Sequence, residues 1–244
     1  MGKAMPKLSS IIDDVKRRLH GRTPAEVVSL TLKTVRHTAR GISPAAARAR
    51  RADQAFDRRW GTDTSGTVNL SALSVARDRA LLGFGYQASN GVALDEAVTR
   101  AGIDPARYSF IDYGSGKGRA VMIAAARGFQ RAIGVEFAPE LHDIALANGR
   151  RFKSAGGSST RCEFILGDAG SYEPPTGPIF AYIYNSFGTV ILREVLSRLE
   201  TRAAQGDPVV IVYVNPLNRS AFEDGQRWTV AADRSDWVLY TPAC

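Results

Sequence analysis

At 244 residues, with 44% apolar and 23% charged side chains, the chain is long enough to bury a full core without disulfide or metal staples. No apolar run approaches the roughly 20 residues that span a bilayer, no segment reads as an export signal, and Cys162 and Cys244 have neither zinc-site nor disulfide-framework spacing, so a cytoplasmic protein is expected. The net charge of +8 is uneven: residues 1–60 carry 14 basic and 5 acidic side chains, and the remainder 18 and 19.

Residues 6–20 set Ile11, Ile12, Val15 and Leu19 on one side of a helical wheel. Thr23 and Pro24 form a helix start, and the periodicity runs on through Val27, Val28, Leu32 and Val35. Gly41 and Pro44 interrupt it, and a short Ala/Arg-rich helix is predicted around 44–55. Residues 1–60 are therefore expected to form a basic helical extension. Such a segment can attract nucleic acid, an anionic membrane surface or an acidic protein, although a solvated helical face reads equally well. Phe56, Arg58, Arg59 and Trp60 are the candidates for contacts with bases and phosphates. Residues 56–75 mix aromatics, Gly and Thr and read as an irregular connector. The wider span 61–104 is expected to be connector and cap, with a helix at about 92–102 capped by Ser89 or Asn90.

After Pro105 the pattern changes to short β-branched or apolar runs alternating with helical stretches, as a parallel α/β sheet requires. Strands are predicted at 108–113, 131–136, 162–167, 179–184, 208–214, 227–233 and 237–242. Helices are predicted at 117–128, 139–153, 188–204 and 218–225. The last two strands are too close in sequence for a crossover helix and must pair antiparallel. Residues 105–244 are thus expected to form a Rossmann-like, seven-stranded, mostly parallel α/β sheet with a C-terminal β-hairpin.

The first of these strands runs into Asp112-Tyr113-Gly114-Ser115-Gly116-Lys117-Gly118-Arg119. Alternate glycines allow a sharp turn and a close approach of backbone to a ligand just before a helix opens. Asp112 lies at the carboxyl end of its strand, where open α/β sheets bind ligands. Glu136 ends the next strand, where a carboxylate can accept both hydroxyls of a ribose. A nicotinamide fingerprint, G-x-G-x-x-G, would need Gly or Ala where Arg119 stands, and a P-loop would need Ser or Thr at Gly118 and Gly at Ile111. A bare βα turn remains the simplest alternative. Asp168 and Ala169 close the third strand; an Asp there can accept a hydrogen bond from an adenine amine, and Ala169 can offer its backbone N–H.

On these residues the stretch from about 105 to 215 resembles the class I S-adenosylmethionine (SAM)-dependent methyltransferases. The resemblance implies that Asp112, Gly114, Ser115, Gly116 and Gly118 hold the methionine part of SAM, Glu136 and Phe137 the ribose region, and Asp168 and Ala169 the adenine. The run from Phe110 to Phe137 is also similar to the non-SET histone lysine methyltransferases and their bacterial relatives, which implies a further cofactor contact from Tyr86 and Ser89. The fourth strand ends in Tyr184-Asn185-Ser186-Phe187-Gly188, similar to a looser form of the motif by which nitrogen methyltransferases orient an amine. Asn185 and Phe187 are accordingly the candidate catalytic residues, the amide aligning a lone pair and the ring stacking on a planar or cationic group. Equally, Asn185 can cap a helix and Phe187 can pack. An oxygen acceptor such as a sugar hydroxyl would need a general base, and none is nominated. His20, His37 and His142 form no metal-binding constellation, His142 reads as a packing or surface residue, and Tyr182 and Tyr184 read as core.

Overall fold

Ile179–Tyr184 and Val209–Val214 are apolar or aromatic at every position, the composition of strands covered on both faces. The computed structural model, which describes residues 51, 54–68, 86–87, 91–158, 162–185 and 187–243, places them at the centre of one sheet. The chain divides after Arg51, and Ala52–Cys244 forms one unit. The helices expected within residues 6–50 lie outside the described residues, as do Ser89, Asn90 and Ser186.

Seven strands make this sheet: β3 (Ser109–Tyr113), β4 (Arg131–Glu136), β5 (Cys162–Leu166), β6 (Ile179–Tyr184), β7 (Val209–Val214), β8 (Trp228–Asp233) and β9 (Trp237–Pro242). Their order is β5-β4-β3-β6-β7-β9-β8; the first five are parallel and the last two pair antiparallel. A separate two-stranded ladder joins β1 (Thr67–Val68) to β2 (Tyr86–Gln87). The helices are α1 (54–60), α2 (Gly91–Ala101), α3 (Arg119–Ala126), α4 (Pro139–Ser154), α5 (Thr189–Ala204) and the short α6 (Ser220–Glu223). The strand and hairpin expectations hold within one or two residues. Two elements differ. Helix α3 starts at Arg119 and not Lys117, because Gly118 sits at φ +82° and cannot be helical. The helix at 54–60 runs past residue 55, where the predicted Ala/Arg-rich helix ended and an irregular connector was expected to begin. Phe56 and Trp60, one turn apart, give that helix its packing face, with Trp60 edge-on to Phe152 at 4.8 Å.

Period-2 alternation splits the core into two layers. Ile111, Tyr113, Val135, Ile183 and Tyr213 pack beneath α5 on one face. Phe110, Ala132, Phe180, Tyr182 and Val212 pack beneath α2 and α3 on the other. From β3 the chain moves outward to β4 and β5, then returns to place β6 on the other side of β3. This reversal opens a crevice at the carboxyl ends of β3 and β6, the position at which open α/β sheets bind ligands. Among the described residues no helix is long and apolar enough to cross a membrane.

Candidate active site

The turn after β3 is built from glycines in the left-handed region, Gly114 (φ +83°), Gly116 (φ +53°) and Gly118 (φ +82°). It is pinned to β4: Gly114 N–H and Ser115 N–H both donate to Val135 O, at 2.9 and 3.0 Å, and Gly116 N–H donates to Glu136 Oε2 at 2.7 Å. The other Glu136 oxygen accepts from Ala138 N–H at 2.9 Å. Gly118 is bare for a packing reason. A Cβ there would meet the Phe164 ring at 2.5 Å, and one on Gly149 would meet the same ring at 2.6 Å. Gly134, opposite Asp112 in the ladder, makes room in the same way for Ser115.

Asp112 and Glu136 project from the same face of adjacent strands and are buried, at 2% and 4% exposure. Burial pushes the Asp112 carboxyl well above its ordinary range, and the neighbouring Glu136 charge adds to the rise. Burial also raises Glu136, partly offset by the N–H bonds from Ala138, Gly116 and Phe137. Two desolvated carboxylates side by side favour a cationic or hydrogen-bond-donating occupant. Ser115 Oγ is buried without a hydrogen-bond partner among the described residues. After β5, Asp168 caps a single 3₁₀ turn (Ala169–Ser171) by accepting from Gly170 N–H at 3.0 Å, and α5 braces this turn through Arg198, which donates to Gly170 O. Ala169 is buried, and Phe137 and Asp168 are half-buried. Asp112, Glu136 and Asp168 thus stand at the carboxyl ends of three successive strands.

The remaining candidate residues lie at the ends of β6 and β7. Asn185 and Asn215 each follow their strand in the left-handed region, at φ +39° and +49°. Asn185 is buried at 8% exposure, and its Oδ1 accepts from the Tyr213 hydroxyl at 3.2 Å. Asn185 does not cap α5, whose N-cap is Gly188. Phe187 is 6% exposed and packs in the core layer beneath α5. Tyr86 takes part in β2 through its backbone. His142 is directed at the Phe164 carbonyl, with Nε2 3.3 Å away.

Several residues at the site carried no local signal in the sequence. Asp57, in the middle of α1, accepts from the hydroxyls of Thr62, Thr64 and Ser65 and from the backbone N–H of Thr64 and Ser65. Burial alone would raise its carboxyl, but these bonds outweigh it and hold the group below its ordinary value. Asn148, wholly buried on α4, ties Asp63 and the Lys117 carbonyl together. A cluster of Asp, Thr and Ser within nine residues was the only available cue to this network.

No protein-family model and no curated protein matches the chain. Solved structures do match its fold. The protein yhhF of Escherichia coli, described as a methyltransferase, superposes with a TM-score of 0.50 at 15% identity over 73% of this chain and 99% of its own. The fold is that of the class I SAM-dependent methyltransferases. Further matches include the ribosomal protein L11 methylase of Lactobacillus delbrueckii subsp. bulgaricus, with a TM-score of 0.46 at 15% identity over 66% of this chain and 81% of that one. An RNA methyltransferase of Salinibacter ruber in complex with S-adenosyl-L-homocysteine matches with a TM-score of 0.44 at 22% identity, over 64% and 92%.

Proposed function

We propose that this chain is a methyltransferase that binds SAM across the carboxyl ends of β3, β4 and β5 and methylates an amine nitrogen on a protein side chain or small molecule. The observation that carries the proposal is the row of carboxylates Asp112, Glu136 and Asp168 around a turn with three left-handed glycines. A nucleoside joined to a charged amino acid suits that row. Asp112 and the Gly114–Gly118 turn take the methionine part, with Ser115 Oγ as an unused buried hydrogen-bonding group. Glu136 takes the ribose hydroxyls beside Phe137, and Asp168 with the Ala169 N–H takes adenine. Tyr86 and Ser89 are proposed as a further contact with the cofactor.

When bound, SAM supplies a methyl group on a sulfonium. The chain's own task is then orientation and exclusion of water, which can account for much of the acceleration of a direct displacement. Asn185, held by its unusual backbone angle and by Tyr213, orients the acceptor; Phe187 keeps that segment seated by packing beneath it. A reducing cytoplasmic setting belongs to the same proposal and rests on the free Cys162, whose thiol burial pushes up to about 11.

One observation favours a second reading, an oxygen acceptor. With Tyr213 bonded to Oδ1, the other group of the Asn185 amide is its NH₂, a donor that suits a hydroxyl or carbonyl oxygen. Incubation with methyl-labelled SAM and fractionated cell extract, followed by mass spectrometry of the labelled product, distinguishes the two. Label on nitrogen that falls sharply with Asn185→Ala supports the first reading, and label on oxygen supports the second. Equal labelling by wild type and Asn185→Ala removes Asn185 from both.

A further inference from the structure

The segment that leads into the seven-stranded sheet is bonded to the end of the glycine turn through Asn148 and Lys117. We infer that residues 57–65 are a strap that holds this turn in its cofactor-binding form, with Asp63, Lys117 and Asn148 as positioning residues. The inference rests on the SAM reading above.

The strap is first closed on itself. Asp57 gathers the Thr62, Thr64 and Ser65 groups around one carboxylate, which fixes the path of a short stretch that otherwise has no ladder or helix bonds. It is then bonded to the turn. Asn148 Oδ1 accepts from Asp63 N–H at 2.8 Å, and Asn148 Nδ2 donates to Asp63 O at 2.9 Å and to Lys117 O at 3.0 Å. One fully buried amide thus joins α4, the strap and the last residues of the turn. The Lys117 ammonium, on a side chain only 8% exposed, pairs with Asp63 Oδ1 at 2.8 Å and donates to Ser65 O at 3.2 Å. The Arg119 guanidinium lies 4.8 Å from the Phe56 ring and donates to Thr64 Oγ1 at 3.4 Å.

The consequence concerns conformational freedom. Glycines explore more backbone space than other residues, so a turn with three of them must be fixed from outside. Val135 O and Glu136 fix its first residues, 114–116, and Asn148 with the Asp63–Lys117 pair fixes residue 117. Lys117 is thereby committed to the strap, which removes it from phosphate binding. The strap also continues directly into β1, whose partner strand contains Tyr86.

The test uses the full chain with Asp63→Ala, Asp63→Glu and Asn148→Ala. Dissociation constants for SAM come from calorimetric titration, thermal midpoints are taken without ligand, and hydrogen exchange is followed at amides 114–118. Because the Asp63 side chain is 61% exposed, both Asp63 variants should keep the midpoint within about 3 °C of wild type. Asp63→Ala should weaken SAM by about tenfold, the expected size of a lost charge-assisted bond, and speed exchange at 114–118, while Asp63→Glu recovers most of the affinity. Asn148→Ala should weaken binding further. Wild-type affinity and wild-type exchange in Asp63→Ala and Asn148→Ala would overturn the strap. Failure of the wild type to bind SAM would instead count against the cofactor reading, and the exchange measurement would still decide the strap.

Discussion

The hydroxyl of Tyr213, near the end of β7, donates to Asn185 Oδ1 just past the end of β6 while accepting from Asn218 N–H, both at 3.2 Å. Burial holds the phenol above its ordinary value, so it keeps its proton at neutral pH and acts as a fixed donor. The orientation of the Asn185 amide is set by this chain of bonds. Tyr213→Phe should cost about 1 kcal/mol of stability and leave SAM affinity unchanged. Turnover on the acceptor found by the labelling assay should drop about tenfold as the amide loses its anchor. Unchanged turnover would show that Asn185 needs no such support.

Asp112 makes a prediction with a definite sign. Its folded-state carboxyl is raised above the unfolded value by burial and by Glu136, so the folded protein binds the extra proton. The stability this contributes is fully present below the ordinary carboxylate range and is lost as pH rises through the raised value. Asp112→Asn removes that loss. Without ligand it should melt at a higher temperature than wild type at neutral pH, with the difference vanishing in acid, and it should bind SAM more weakly. Thermal scans at several pH values check the first claim and titration the second. A variant less stable at neutral pH would contradict the account of this site as a strained pair of carboxylates.

Gly118 tests the packing explanation of the turn. Gly118→Ala adds a Cβ at φ +82° against the Phe164 ring, combining left-handed strain with overpacking. Denaturant unfolding should show a loss of about 3 kcal/mol. A second substitution, Phe164→Leu, should recover part of it, whereas equal losses in single and double variants would mean that the ring is not the obstacle.

At Phe187 the prediction separates packing from stacking on the acceptor. Phe187→Ala should lose about 3–5 kcal/mol of stability, the cost of emptying a buried aromatic site. Phe187→Leu fills most of that volume without an aromatic face, so it should keep turnover within about threefold of wild type. A large loss of turnover in a stable Phe187→Leu protein would return the ring to the acceptor site.

The sheet was legible because its strands are locally explicit: Ile179–Tyr184 and Val209–Val214 are apolar or aromatic throughout, and only the three residues 234–236 separate the last two. The glycine turn was legible for a similar reason, since unusual backbone and strand-end carboxylates lie within one short run. The strap was not. Asp63 and Asn148 are 85 residues apart, and neither has a neighbour in sequence that reveals the other. The stretch of α1 beyond residue 55 read as connector because Phe56 and Trp60 supply only two packing positions before Gly61 ends it. The bond from Tyr213 to Asn185 likewise depends on the register between β6 and β7, which no periodicity encodes.

The most direct test of the cofactor reading is calorimetric titration of the full chain with SAM, beside Glu136→Ala. Micromolar binding by wild type, weakened about tenfold or more in the variant, is the predicted result, because Glu136 bonds the glycine turn through Gly116 and is the proposed ribose ligand. A folded wild-type protein that shows no heat of binding, or a Glu136→Ala variant that binds as tightly, would contradict it.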